Sequence, residues 1–519
     1  MITAKEIIES IPQRFRKEKA EKFSAVVHLD LEGNEPLQFT ISIYEQQCHL
    51  QYGLHGTADC TVKCTAENYV ALETGQLSPQ WALVSGKVKL TDIAVMMQFT
   101  KCFKRFEPGK QYTSSSPDNQ ELFFVNRAKL SGPFQGIRIV DFTRLLPGPL
   151  ATMFLAQQGA EVIKVEDPDQ PDYIRNFEPQ CEGTSAFYLA LNSCKKSLAI
   201  NFLSAEGKEC LLKLIQTADV VIEQFRPGVM EKFGLHYEAL REANPTLIYV
   251  SLTGYGIHSE KKNDAGHDLN YIAESGLPFM NGCMPTLPGF QSADVAGGAY
   301  MAMLAMATSL FEREKTGKGG FVNVPMTDCI LPLIALPLAA QQCKSELISA
   351  ENFELAGSLP NYQIYACADD KYIALGALEP KFWYNFCDAI SKSDWKQKIV
   401  APPHQIRELK KEVAALFRTK TRDEWLKFLK NADCCISPVN DIREVLSSEY
   451  FKEQKMFLET PLSSGKKMKV LRHPIQFESS DFSTFWAAPQ LGEDTVTILS
   501  AIGIEEKKIK ELLAKGIVK

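Results

Sequence analysis

Apolar residues at helical spacing open the chain: Ile7, Ile8, Ile11 and Phe15 share one face of a segment from Ala4 to Ala20, which predicts an amphipathic helix. Four runs rich in strand-forming residues follow, Phe23 to Leu31, Leu37 to Tyr44, Cys48 to Leu54 and Asp59 to Ala66. Turn residues such as Glu32-Gly33-Asn34 and Tyr52-Gly53 divide them, so they predict an antiparallel meander. Helical segments around Asn68 to Thr74 and Ser78 to Ser85, a strand at Gly86 to Leu90 and a helix from Ile93 to Phe103 complete a small α+β domain over residues 1–106. Pro108-Gly109, Ser114-Ser115-Ser116-Pro117 and Ser131-Gly132-Pro133 break any period, so residues 107–133 read as a linker in which Glu121 to Val125 can dock as a strand.

Beyond the linker the pattern changes to short apolar runs separated by helices. Ile137 to Phe142, Glu161 to Glu166, Ser197 to Asn201, Asp219 to Glu223 and Leu247 to Leu252 read as buried strands. Pro149 to Gln157, Gly207 to Thr217, Met230 to Phe233 and Tyr237 to Asn244 read as the helices between them. That alternation predicts an α/β fold with a Rossmann-like parallel sheet, spanning residues 134–343 and 448–519. A smaller α+β domain, residues 344–447, interrupts it, with strand pairs from Tyr365 to Leu375 and helices at Glu412 to Phe417 and Glu424 to Leu429. A nicotinamide cofactor does not follow from this fold. The turn Thr143-Arg144-Leu145-Leu146-Pro147-Gly148-Pro149 has no G-x-G-x-x-G, and Thr253-Gly254-Tyr255-Gly256 lacks the third glycine.

Composition narrows the function classes. A net charge of -6 over 519 residues argues against nucleic acid as a partner, which demands a basic face. The 14 cysteines show no zinc-type paired spacing, so no metal is expected and the thiols read as free. Met1 to Glu6 lacks the layout of a secretory signal and Ile517-Val518-Lys519 is not a peroxisomal address, so a cytoplasmic protein is expected. The most apolar stretch, Cys329 to Ala340, carries Pro332 and Pro337 and reads as a buried core segment with no membrane span.

Two resemblances rest on particular motifs. Leu77-Ser78-Pro79-Gln80-Trp81-Ala82 and Gly86-Lys87-Val88-Lys89, set among paired strands, resemble the sterol carrier protein 2 family, which implies an apolar site for a fatty acyl or lipid ligand. From Phe134 onward the chain resembles the α-methylacyl-CoA racemase branch of the class III CoA-transferase superfamily. The resemblance is carried by Asp141 to Pro149, Gly159 to Glu166, Asp219 to Gly228, Gly266 to Tyr271, Ala293 to Gly298, Thr316 to Gly319, Gly376 to Pro380 and Leu491-Gly492. It implies an isomerase that inverts the α-carbon of a 2-methyl-branched acyl-CoA. Coenzyme A enters as part of the thioester substrate, no cofactor is tightly bound, and two subunits interlock as a homodimer.

The same resemblance implies the site residues. His267 and Asp294 are the implied catalytic pair and Glu379 the supporting glutamate that orients the imidazole. The coenzyme A contacts fall on Ile200, Asn201, Phe202, Leu203, Gln224, Phe225, Arg226, Lys232, Gly266, Asp268, Leu269, Asn270 and Tyr271, with Arg226 and Lys232 as phosphate ligands. The residues themselves fit such roles. Imidazole titrates near physiological pH, and both His267 and Asp294 are placed to begin helices, where free amides gather. Read alone, each is equally a helix-capping residue. Ala296 to Ala299 leave room beside Asp294 for a ligand or a neighbouring backbone. One position departs from the family: Asp167 stands where relatives place an arginine, with Lys195 and Lys196 as candidate replacements.

Two other readings stay open. In a CoA-transferase Asp294 is a nucleophile that forms an acyl anhydride, His267 is not needed, and a glycine-rich flap covers the site; Leu355 to Pro360 is not glycine-rich. An acyl or lipid carrier with an inactive enzyme domain is the third.

Overall fold

A computed structural model describes the chain apart from residues 1–2, 21–22, 33–36, 45–46, 55–56, 108–121, 283, 463–465, 481 and 483–484. The chain divides into two compact units, Met1–Gln120 and Glu121–Lys519. Most of the expected linker, 108–121, lies outside the described residues.

The first unit opens on a helix, Ala4–Glu9, held by a capping box in which the Thr3 side chain and Glu6 satisfy each other's backbone amides. It stops at Ser10, because Pro12 lies in the first turn of a separate short helix, Ile11–Arg14. Proline has no N–H to continue the first ladder, so the expected single helix to Ala20 is three pieces. The strands are β1 (Ala25–Glu32), β2 (Leu37–Tyr44), β3 (Gln47–Tyr52), β4 (Cys60–Thr65) and β5 (Val88–Leu90), in the sheet order β3-β2-β1-β4-β5. Only β1, β2 and β3 form the expected meander; β4 lies parallel to β1, with Val27 opposite Cys60 and Leu31 opposite Cys64. The burial of β1 explains the correction. Val27 to Leu29 are buried in succession, on both faces, and such a strand needs a neighbour on each edge. Ile7, Ile8 and Ile11 join Val27, Leu29 and Ile41 in this unit's core.

The second unit is built on six parallel strands: β6 (Arg138–Asp141), β7 (Glu161–Glu166), β8 (Lys196–Ala199), β9 (Val220–Glu223), β10 (Ile248–Thr253) and β11 (Gly320–Pro325). Their order is β8-β7-β6-β9-β10-β11, a doubly wound Rossmann-like arrangement. The direction of winding reverses between β6 and β9, and ligands of such sheets bind in the crevice at the carboxyl ends of those strands. Val140 and Val221 face one core while Ile139 and Ile222 face the other, so both sides of the sheet are covered. Residues 122–125 form no strand. Val125 donates instead to the Thr497 hydroxyl at 2.8 Å, and Arg127 pairs with Glu493 and Asp494, both at 2.7 Å. These side-chain anchors replace a strand edge.

A three-stranded antiparallel sheet, β12 (Tyr362–Ala366), β13 (Tyr372–Gly376) and β14 (Ile436–Val439), has its own core of Trp383, Phe386, Phe417 and Trp425. The helices Thr495–Ala501 and Glu506–Ala514 return to the large sheet, where Ile498 and Leu512 pack with Leu198.

The stretch from Cys329 to Ala340 is not the buried segment expected: Leu333 is 56% and Leu336 63% exposed. Two continuous helical stretches, Ala293–Thr316 and Met326–Cys343, are long and apolar enough by length and composition to cross a membrane. Both leave most of their surface uncovered in one chain.

Candidate functional site

The crevice between β6 and β9 is built on buried charge. Asp141 ends β6 and accepts hydrogen bonds from the Thr143 amide at 2.8 Å, the Thr152 hydroxyl at 2.6 Å and Lys195 Nζ at 3.2 Å. Burial opposes its ionisation, but Lys195 and Lys164, together with the Thr143 and Thr152 hydroxyls, hold the carboxyl below the ordinary range. Lys164 also donates to the Thr143 carbonyl at 2.8 Å and to Asp172 at 2.9 Å. Asp172 in turn accepts the amide of Leu145, a residue held at φ 61°. Buried ion pairs add little net stability, yet their geometry is demanding, and here they fix the turn from Thr143 to Leu146. Gln224 closes the crevice from the β9 side by donating to the Arg144 carbonyl at 2.7 Å. Glu223, at the end of β9, is buried, which pushes its carboxyl up to about 7 although Ser251 and the Phe225 amide partner it.

An aromatic cluster brings the implied coenzyme A segments together. Phe202 lies 6.1 Å from Phe142 and 5.3 Å from Phe233, which lies 6.2 Å from Phe225. Ile200 and Phe202 are buried, leaving only their backbone to meet a ligand, and the Asn201 side chain accepts the Leu203 and Ser204 amides. Leu203 is exposed. Arg226 and Lys232 are exposed and make no ion pair among the described residues. Lys195 and Lys196 cannot replace the missing arginine. Lys195 is 0% exposed on Asp141, and Lys196 is paired with Glu161 at 2.5 Å. Asp167 itself is tied into its own loop, accepting the amides of Asp169 at 2.8 Å and Gln170 at 3.1 Å.

A second group forms beyond the end of β10. The Tyr271 ring fills the space over Gly254 and Gly266, where an added Cβ would come within 2.5 and 2.6 Å of it. Its hydroxyl donates to the Gly266 carbonyl at 2.7 Å. Burial and then the charge of Asp294 push its phenol up to about 12, while Arg226 pulls the other way, so Arg226 and Asp294 both lie within electrical reach of this ring. His267 is the N-cap of the helix Asp268–Ser275, with its amide on Asn270 Oδ1 at 3.1 Å and its side chain exposed. The amides of Asp268 and Leu269 have no acceptor among the described residues, whereas those of Asn270 and Tyr271 bond to the His267 carbonyl. Leu269 and Asn270 are exposed on this helix.

Asp268 is buried, and its carboxylate accepts the backbone amide of Asp294 at 3.0 Å. Burial, and then the neighbouring Asp268, push the Asp294 carboxyl up to about 7. Asp294 does not start the expected α-helix. It lies in a π-helical stretch, Ala293–Tyr300, that passes into an α-helix, Met301–Thr316. The glycines explain the wide turns: a Cβ on Gly297 would come within 2.7 Å of the Met326 carbonyl, and one on Gly298 within 2.8 Å of Pro147. Neighbouring backbone, not empty space, takes up the room beside Asp294. Such wide turns recur at functional sites.

Glu379 is not joined to His267 by any hydrogen bond within one chain. It stands exposed at the N-cap position of the helix Pro380–Ala389 without a side-chain capping bond, and its charge acts on Cys435. Leu355 to Pro360 is pinned, because the Gly357 carbonyl accepts from Gln363 at 2.6 Å and Lys410 at 2.7 Å. With Tyr362, Gly376 and Cys435 this segment lines an open cavity of about 470 Å³ whose wall includes neither His267 nor Asp294. Among the described residues no group of His, Cys, Asp and Glu could hold a metal ion. Sequence reasoning missed the roles of Asp141, Lys164, Asp172 and Glu223, whose partners come from separate strands and loops.

Comparison with known proteins agrees with both resemblances. Residues 134–495 match the model of CoA-transferase family III, and residues 5–104 that of the SCP-2 sterol transfer family. The chain is 32% identical to human α-methylacyl-CoA racemase over 74% of this chain and 97% of that protein. It is 31% identical to human succinyl-CoA:glutarate CoA-transferase over 74% of this chain and 90% of that one. A CAIB/BAIF family protein from Brucella suis superposes with a TM-score of 0.63 at 26% identity, covering 72% of this chain and 100% of that structure.

Proposed function

The chain belongs to CoA-transferase family III, and from that premise we propose that its crevice takes an acyl-CoA and that the enzyme inverts the α-carbon of a 2-methyl-branched acyl group. One observation carries this reading over CoA transfer: the helix that His267 caps also holds the Asp294 amide through Asp268 at 3.0 Å, which ties Asp294 to an imidazole that CoA transfer does not need. Burial pushes the Asp294 carboxyl up to about 7, so it gives and takes a proton readily at neutral pH.

In the proposed reaction one of His267 and Asp294 removes the α-proton. The C–H electron pair moves into the C–C bond of an enolate, and the thioester oxygen takes the negative charge. The other residue then delivers a proton to the opposite face of the same carbon. The enolate is the costly species, and the unpartnered amides of Asp268 and Leu269 are available as an oxyanion hole close to His267. Exchange with solvent returns the pair to its starting protonation. No cofactor is required beyond the coenzyme A of the substrate. Replacing His267 and Asp294 separately by alanine, and following α-proton exchange with deuterated solvent, tests the scheme; full exchange in both variants overturns it.

The transferase reading has a specific observation behind it, since the succinyl-CoA:glutarate CoA-transferase is about as similar as the racemase. Asp294 then attacks the thioester carbonyl and coenzyme A leaves as a thiolate. Turnover in that case needs a carboxylate acceptor.

The N-terminal unit belongs, on this reading, to substrate handling, with a fatty acyl or lipid ligand supported by its family match. A homodimer is part of the same proposal. Its support is the uncovered apolar surface of Leu304, Phe311, Leu333 and Leu336, which a second copy would remove from water.

A further inference from the structure

Arg144 occupies a special place in the crevice. It lies in the turn after β6, its carbonyl is held by Gln224 from the β9 side, and its guanidinium lies over the Phe225 ring at 5.4 Å. It is also close enough to Tyr173, on the loop after β7, to act on that phenol. The guanidinium therefore stands between the loops that follow β7 and β9, at the point where the winding of the sheet reverses.

Arg226, on the loop after β9, is exposed and unpaired among the described residues, but the cations of β7, β8 and the segments beside them are engaged. Lys164 is paired with Asp172, Lys195 with Asp141, Lys196 with Glu161 and Arg175 with Glu166. Among the described residues Arg144 makes no ion pair and its guanidinium donates no hydrogen bond. A half-buried guanidinium on an aromatic face, without a carboxylate, presents its fork of donors to an anion from outside the chain. The neighbouring loop offers no competing cation, because Asp167 follows β7 directly and is locked onto the amides of Asp169 and Gln170.

We propose that Arg144 binds a phosphate of the nucleotide half of coenzyme A. The aromatic cluster of Phe142, Phe202, Phe225 and Phe233 forms the floor beneath it. This rests on the reading of the crevice as a coenzyme A site.

Calorimetric titration of the full chain with coenzyme A tests it, comparing the wild type with Arg144→Met. The expected result is a Kd about tenfold higher in the variant, the loss of one charge-assisted contact to phosphate. Any unfolded fraction lowers the stoichiometry and not the Kd, so a folding defect does not imitate this result. A wild type that binds and an Arg144→Met variant that binds equally tightly overturn the assignment of Arg144. A wild type that does not bind coenzyme A overturns the reading of the crevice itself, and the assignment with it.

Discussion

The carboxylate of Asp268 holds the backbone amide of Asp294 at 3.0 Å and, by its charge, adds to the burial that raises the Asp294 carboxyl to about 7. One residue thus both places the acid and tunes it. Asp268→Asn keeps an acceptor for the amide and removes the charge, so Asp294 ionises at lower pH. On the two-base scheme the acidic limb of the pH–rate profile for α-proton exchange moves down. An unmoved limb contradicts the tuning role.

The same shift bears on stability. The folded pKa of Asp294 lies above the ordinary carboxylate value of about 3.9, so its contribution is fully present below pH ~4 and lost as pH rises toward about 7. Asp294→Asn, always neutral, is therefore expected to unfold at higher denaturant than the wild type at pH 8, by on the order of 2 kcal/mol, with the advantage vanishing near pH 4. Parallel urea titrations at the two pH values check this.

Lys195→Met leaves Asp141 buried without its principal cation. Stranding one member of a buried pair costs about 3–5 kcal/mol, and the turn at Thr143 to Leu146 is expected to loosen with it. Denaturant melts measure the loss, and a change under about 1 kcal/mol speaks against a structural role for the pair.

Gly297→Ala pushes a methyl to within 2.7 Å of the Met326 carbonyl, a backbone atom with little freedom to retreat. The π-helical stretch has to shift, and Asp294 with it. Small misplacements of reacting groups cost about 100-fold in rate, so a kcat loss of at least tenfold is expected while coenzyme A affinity holds. Steady-state kinetics beside a coenzyme A titration separates the two.

Deleting residues 1–106 is expected to lower kcat/KM for long-chain acyl-CoA and to spare short-chain esters. Equal kinetics for both lengths in the truncated and full chains contradicts a role for the N-terminal unit in substrate handling.

Strands β6 to β10 were legible because each is a short apolar run, and a strand covered on both faces shows no alternation to confuse. β11 escaped notice: Asn323 interrupts its apolar run and Gly320 opens it. The placement of β4 beside β1 depends on which edge is left to cover, a property of the assembled sheet. The site shows the same division. Motifs carried His267 and Asp294, and composition carried the glycines after Asp294. The π geometry depends on how closely Gly297 meets Met326, a contact between distant segments. Lys195 reads as a spare cation until the fold brings it onto Asp141.

The most direct measurement follows a 2-methylacyl-CoA of single configuration in deuterated buffer with no carboxylate acceptor present. The two-base account predicts gradual inversion toward an equal mixture, with deuterium at the α-carbon. Retained configuration until a free carboxylate is added, followed by a new thioester of that carboxylate, contradicts it and assigns the chain to CoA transfer through Asp294.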